Sequence, residues 1–69
     1  MESRKDRFKR IASRRTNEII EKIRILGNCS NKSTYEYTGD EVHKIFKSIE
    51  QEISLAKAKF SNKRDKFKL

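Results

Sequence analysis

The sequence contains no proline, only two glycines and a single cysteine. Without proline, nothing in the chain forces a helix to kink or stop. With glycine this sparse there is no glycine-rich phosphate loop, no nucleotide-binding glycine pattern and no calcium loop. The lone Cys29 cannot close an intrachain disulfide, which fits a reducing compartment. No apolar run approaches the roughly 20 residues that a membrane-spanning helix needs. Residues 2–10 are too charged to read as a secretory leader. The expected location is therefore cytoplasmic. Apolar residues are themselves scarce, at 33% of the chain against 41% charged. Sixty-nine residues of that balance make a single domain at most. Such a domain struggles to offset its conformational entropy. It is expected either to be marginal alone or to complete its core with a partner.

What the chain does have is positive charge at both ends. The net charge is +8. Residues 1–15 carry seven bases (Arg4, Lys5, Arg7, Lys9, Arg10, Arg14 and Arg15) against Glu2 and Asp6, a balance of +5. Residues 57–69 carry six (Lys57, Lys59, Lys63, Arg64, Lys66 and Lys68) against Asp65, again +5. The intervening residues 16–56 are slightly acidic, at −2.

Residues 26–42, LGNCSNKSTYEYTGDEV, organise the rest. Gly27 follows Ile23, Ile25 and Leu26, and glycine readily adopts the left-handed conformation that closes a helix. Asn28, Ser30, Asn31, Ser33 and Thr34 then crowd together, and their short side chains favour turns over helix. Thr38 and Glu41 have the spacing of a capping box, with Tyr37 and Val42 at the two positions of a hydrophobic staple. Asp40 adds negative charge to the first turn of a second helix. Tyr-Glu-Tyr-Thr also alternates, so a strand over 33–38 is the competing reading of this segment.

The pattern predicts helix one over about 3–27, a turn over 28–37, helix two over about 38–60 and a basic tail over 61–69. Ser3 and Asp6 repeat the capping spacing at the start. Phe8, Ala12, Ile19, Ile23 and Leu26 share one face of helix one. Val42, Phe46, Ile49, Ile53, Ala56 and Phe60 recur in helix two as a heptad seam. The expected fold class is all-α, an antiparallel two-helix hairpin whose facing seam residues sum to about 68 in number. Helix one would be about 36 Å long and helix two about 33 Å. Ile11, Ile25 and Leu55 project to the flanks, where a second hairpin would cover them. A homodimer would then be a four-helix bundle.

The sequence offers little to catalysis. Cys29 and His43 are the nucleophile and base candidates, and no third group is evident to orient them. One Cys and one His cannot supply a four-ligand zinc site. The expectation is a non-enzymatic protein with no cofactor, no metal and no small-molecule substrate.

The informative feature is the basic pole. An antiparallel hairpin brings the two +5 segments to the end opposite the turn. Clustered Lys and Arg attract phosphate and release counterions on binding. Arg4, Arg7, Arg10 and Arg14 can fork onto phosphate or guanine. The plain alternative is a solvated surface that keeps a small protein soluble, but such surfaces usually mix both signs. Nucleic acid, DNA or RNA, is the leading partner, and the thirteen bases named above are the candidate contacts. Tyr35 and Tyr37 could stack on bases, although Tyr37 already has a place in the staple. The second reading is a protein-binding accessory factor or inhibitor that uses Ile11, Ile25, Leu55 and Tyr35 as its contact surface. A third, attachment to a membrane surface through the basic tail with Phe67 and Leu69, is the weakest.

Two runs carry a resemblance: RRTNEIIEKIRILGNCSN at 14–31 and YEYTGDEVHKIFKSIEQEI at 35–53. Their distinctive pieces are Leu26–Gly27–Asn28, Ser30–Asn31, Tyr35-x-Tyr37-Thr38 and Lys44–Ile45–Phe46. Over a little more than half its length the chain resembles small basic proteins of phages, plasmids and integrated elements of Gram-positive bacteria. The resemblance implies an accessory factor of a mobile element, acting on nucleic acid or on host machinery. It assigns no functional residue.

Overall fold

A computed structural model of the chain describes residues 1–61. The described chain is all-α, two long helices with a short 3₁₀ turn after the first. No strand occurs among the described residues, so the alternating segment 35–38 is irregular chain leading into the second helix. The chain divides into two compact units, Met1–Glu36 and Tyr37–Leu69. The basic tail expected at 61–69 lies, beyond Ser61, outside the described residues.

In the first unit, α1 runs from Arg4 to Gly27. Ser3 is extended and caps it, its Oγ accepting from the Asp6 amide at 3.1 Å. The Ser3 carbonyl accepts the first helical bond from the Arg7 amide at 2.9 Å. A Ser cap satisfies one of the amides that a helix start leaves without a partner.

The C-terminal end of α1 corrects the sequence reading. Gly27 does not take the left-handed conformation, and its φ of −59° and ψ of −24° keep it helical. The helix tightens instead into a 3₁₀ turn, Asn28–Ser30. The Asn28 amide donates to the carbonyls of Ile25 and Leu26. A tightened last turn satisfies carbonyls that a glycine cap would otherwise serve.

Asn31 then turns the chain out of helix, at φ −71° and ψ 103°. Its Oδ1 accepts from the Ser33 amide at 2.9 Å, and its carbonyl accepts from Thr34 and Tyr35 at 3.1 and 2.9 Å. Among the crowded polar residues, Asn31 thus organises the turn through both its side chain and its backbone.

In the second unit, α2 runs from Gly39 to Ser61. Its capping box is complete: the Glu41 amide donates to Thr38 Oγ1 at 3.1 Å, and the Thr38 amide donates to Glu41 Oε1 at 2.8 Å. Asp40 and Glu41 supply negative charge to the first turn and Lys59 positive charge to the last, as the helix dipole favours. Tyr37 and Val42, the staple positions, are both half-buried.

No described side chain is fully buried. A lone helix cannot enclose a side chain, so each unit taken by itself leaves its apolar stripe open. Phe8 and Ile19 of α1 are 57% and 59% exposed, and Ile53 and Phe60 of α2 are 47% and 74% exposed.

Candidate nucleic-acid interface

The seven bases of the N-terminal segment all belong to α1, and all are exposed. Arg4, Arg7, Arg10 and Arg14 recur at intervals of three, three and four. That spacing sets them along one flank of the helix, over about 15 Å at 1.5 Å per residue. Lys5 and Lys9 point to another side of the same helix half, because their spacing breaks the series, whereas Arg15, eleven residues after Arg4, falls at the edge of the flank. Lys57 and Lys59 are exposed near the end of α2, in the other unit. Lys63, Arg64, Lys66 and Lys68 lie outside the described residues.

Among the described residues, Arg10 is the one of the seven bases that forms an ion pair. Glu2, just before the cap, reaches back to Arg10. Arg10 Nε donates to Glu2 Oε2 at 2.8 Å and Arg10 Nη2 to Glu2 Oε1 at 3.0 Å. This is a two-point fork, the strong geometry for a guanidinium and a carboxylate. The hydrogen bonds from Arg10 hold the Glu2 carboxyl below the usual carboxylate range, a pull that outweighs slight desolvation. The same bonds raise the Arg10 guanidinium above its ordinary value. Sequence reasoning missed this pair. Residues eight apart are separated by about 12 Å along a helix axis, farther than the i,i+3 and i,i+4 neighbours that normally pair, and Glu2 precedes the helix, so only the path of the chain at the cap brings them together.

The basic segment also sits at the wrong end of its helix. The N-terminus of a helix carries partial positive charge and favours acids. Asp6 is the only acid in the first turn of α1, which it shares with Arg4, Lys5 and Arg7. The first turn of α2, by contrast, holds Asp40 and Glu41. One chain thus contains a helix start that follows the dipole and another that opposes it.

The expected partner-binding residues are placed as follows. Ile25, Leu55 and Tyr35 are 50%, 60% and 49% exposed. Ile11 is half-buried, and so presents less surface than its flank position implied. Cys29 lies in the 3₁₀ turn and His43 in α2, and both are exposed. Among the described residues, no three His, Cys, Asp or Glu side chains gather as a metal site. No described helix is long and apolar enough to cross a membrane. The shallow concavities beside Arg14, Glu18 and Lys22 and beside Lys47, Gln51 and Leu55 are each lined by one helix.

No family model, no curated protein and no solved structure matches this chain.

Proposed function

We propose that the protein is a non-enzymatic binding module that holds nucleic acid by its phosphate backbone. The binding element is the N-terminal half of α1, with Arg4, Arg7, Arg10 and Arg14 as the main contacts and Lys5, Lys9 and Arg15 beside them. Lys57 and Lys59 of α2, and the bases at 63, 64, 66 and 68, add to the positive charge of the chain. The observation that carries this reading is the opposition between charge and dipole. Four of the residues Arg4 to Arg7 are charged, and three of those are basic at a helix start that favours acids. Local rules broken without a structural return tend to mark functional sites. A bound phosphate would relieve the conflict, because helix N-termini and arginine both favour anions. The resemblance to proteins of Gram-positive mobile elements fits such a role, as an accessory factor acting inside the cell.

The test is titration of the whole protein against a mixed-sequence DNA duplex and a single-stranded RNA at several salt concentrations. Binding should weaken steeply as salt rises, with a log–log slope of about −0.9 per phosphate contacted on duplex DNA. Charge reversal at Arg4, Arg7 and Arg14 should abolish it. Absence of binding at low salt, or affinity indifferent to salt, would overturn the reading.

The open apolar stripes favour a second reading, in which the chain binds protein. Phe46, Ile53 and Phe60 on the seam of α2 are 41%, 47% and 74% exposed, and Leu55, off the seam, is 60% exposed. Apolar surface of this kind marks protein contact, and a second copy of the chain is one candidate. A partner retained on the purified protein through nuclease treatment and high salt would favour this reading over the first.

A further inference from the structure

We infer that the side-on fork of Arg10 is a phosphate-oxygen site which Glu2 occupies until a nucleic acid displaces it. This deepens the nucleic-acid reading and rests on it.

Arg10 lies within the Arg4–Arg7–Arg10–Arg14 series, with Arg7 one turn before it and Arg14 one turn after. Of those four arginines it alone forms an ion pair among the described residues. Its partner is a carboxylate held at two points, by Nε at 2.8 Å and by Nη2 at 3.0 Å. A carboxylate so placed offers two oxygens to one guanidinium edge, as two oxygens of a phosphodiester would. Glu2 therefore shows the ligand chemistry that this edge accepts.

The pair is also placed to be exchanged. The Arg10 side chain is 56% exposed and that of Glu2 35%. An exposed pair of this kind is weakly held against water. Guanidinium has five N–H donors, and the Glu2 fork uses two. A phosphate approaching the other three would lie within a few ångströms of the Glu2 carboxylate. The two anions repel, so strand and Glu2 compete for Arg10. Glu2 is attached only through the residues before the cap, whereas Ser3 still holds the helix start through the Asp6 amide and its own carbonyl. Glu2 can let go without unwinding α1.

Two consequences follow. Glu2 lowers affinity for phosphodiesters by competition at a single site. It also reduces by one the number of counterions that binding displaces, because a cation already paired with Glu2 contributes less to the charge that a strand must neutralise.

The experiment is a double-mutant cycle on the full chain with Glu2→Gln, Arg10→Ala and the combined variant. Each is titrated with a mixed-sequence DNA duplex of about two turns and, separately, with a polyuridine strand. Circular dichroism confirms that each variant keeps its helices. Glu2→Gln should tighten binding about two- to fivefold, the range that an exposed ion pair can withhold. The salt slope should steepen by about 0.9 on the duplex or about 0.7 on the single strand. Both gains should disappear in the Arg10→Ala background. The arm in which this happens identifies whether duplex DNA or single-stranded RNA supplies the phosphate. Salt-dependent binding with no gain from Glu2→Gln, or with a gain that persists without Arg10, would overturn the competition and leave the nucleic-acid reading standing. No binding of either probe by wild type or Glu2→Gln at low salt would overturn both.

Discussion

Thr38 and Glu41 seal the start of α2 reciprocally, side chain to amide in each direction, at 3.1 and 2.8 Å. Replacing Thr38 by Ala removes the oxygen that the Glu41 amide needs. The expected loss is about 1 kcal/mol of helix stability. Thr38→Ser should restore most of it, since the hydroxyl returns. Amide exchange at Glu41, compared among the three proteins, checks this: faster exchange in Thr38→Ala alone is the expected outcome.

The helix start at Arg4 should behave in the opposite sense. Changing Arg4 and Lys5 to Glu places acids where the dipole favours them. Helicity of α1 should rise at low salt, by an amount worth about 0.5 kcal/mol per charge. Nucleic-acid affinity should fall at the same time. Thermal melts and binding titrations on one protein sample report both. A helix that is weakened by these changes would remove the charge–dipole conflict from which the proposed function was drawn.

Glu2 has a pH signature. Its carboxyl is held low in the folded chain by the Arg10 hydrogen bonds, so the pair stabilises the fold when the carboxylate is ionised. That contribution is present at neutral pH and is lost as pH falls through the lowered folded value. Carbon-detected magnetic resonance of the Glu2 side chain should give a midpoint below the ordinary carboxylate range. In Arg10→Ala the Glu2 midpoint should rise to the ordinary carboxylate range.

The heptad seam of α2 should drive self-association. Sedimentation at micromolar concentration is expected to give a dimer, and Ile53→Asp is expected to give a monomer, since a charge in a seam is costly to bury. A compact, stable wild-type monomer under the same conditions would exclude the homodimer.

Features set by neighbours within four residues were legible in the sequence. Ser3 with Asp6, and Thr38 with Glu41, are three residues apart, a spacing at which side chain and amide meet wherever a helix begins. The crowding of Asn and Ser residues gave the turn, although not the fact that Asn31 carries most of its bonds. Gly27 was misread because glycine permits a left-handed cap without requiring one, and the 3₁₀ turn at Asn28–Ser30 satisfies the same carbonyls. The Glu2–Arg10 fork was not legible, because it depends on the direction the chain takes before the cap. The clustering of bases in residues 1–15 and 57–69 was plain from composition.

Neither glycine of the chain adopts a positive φ, and a methyl group added at Gly27 or Gly39 would meet nothing within 4 Å. Both positions therefore have room and conformation for alanine. Each glycine keeps the denatured ensemble broader than it need be. Gly27→Ala and Gly39→Ala should each raise the melting temperature, with a gain of about 0.4–1 kcal/mol. The molecule holds unused thermostability in reserve, reachable by two one-carbon additions that leave its arginines untouched.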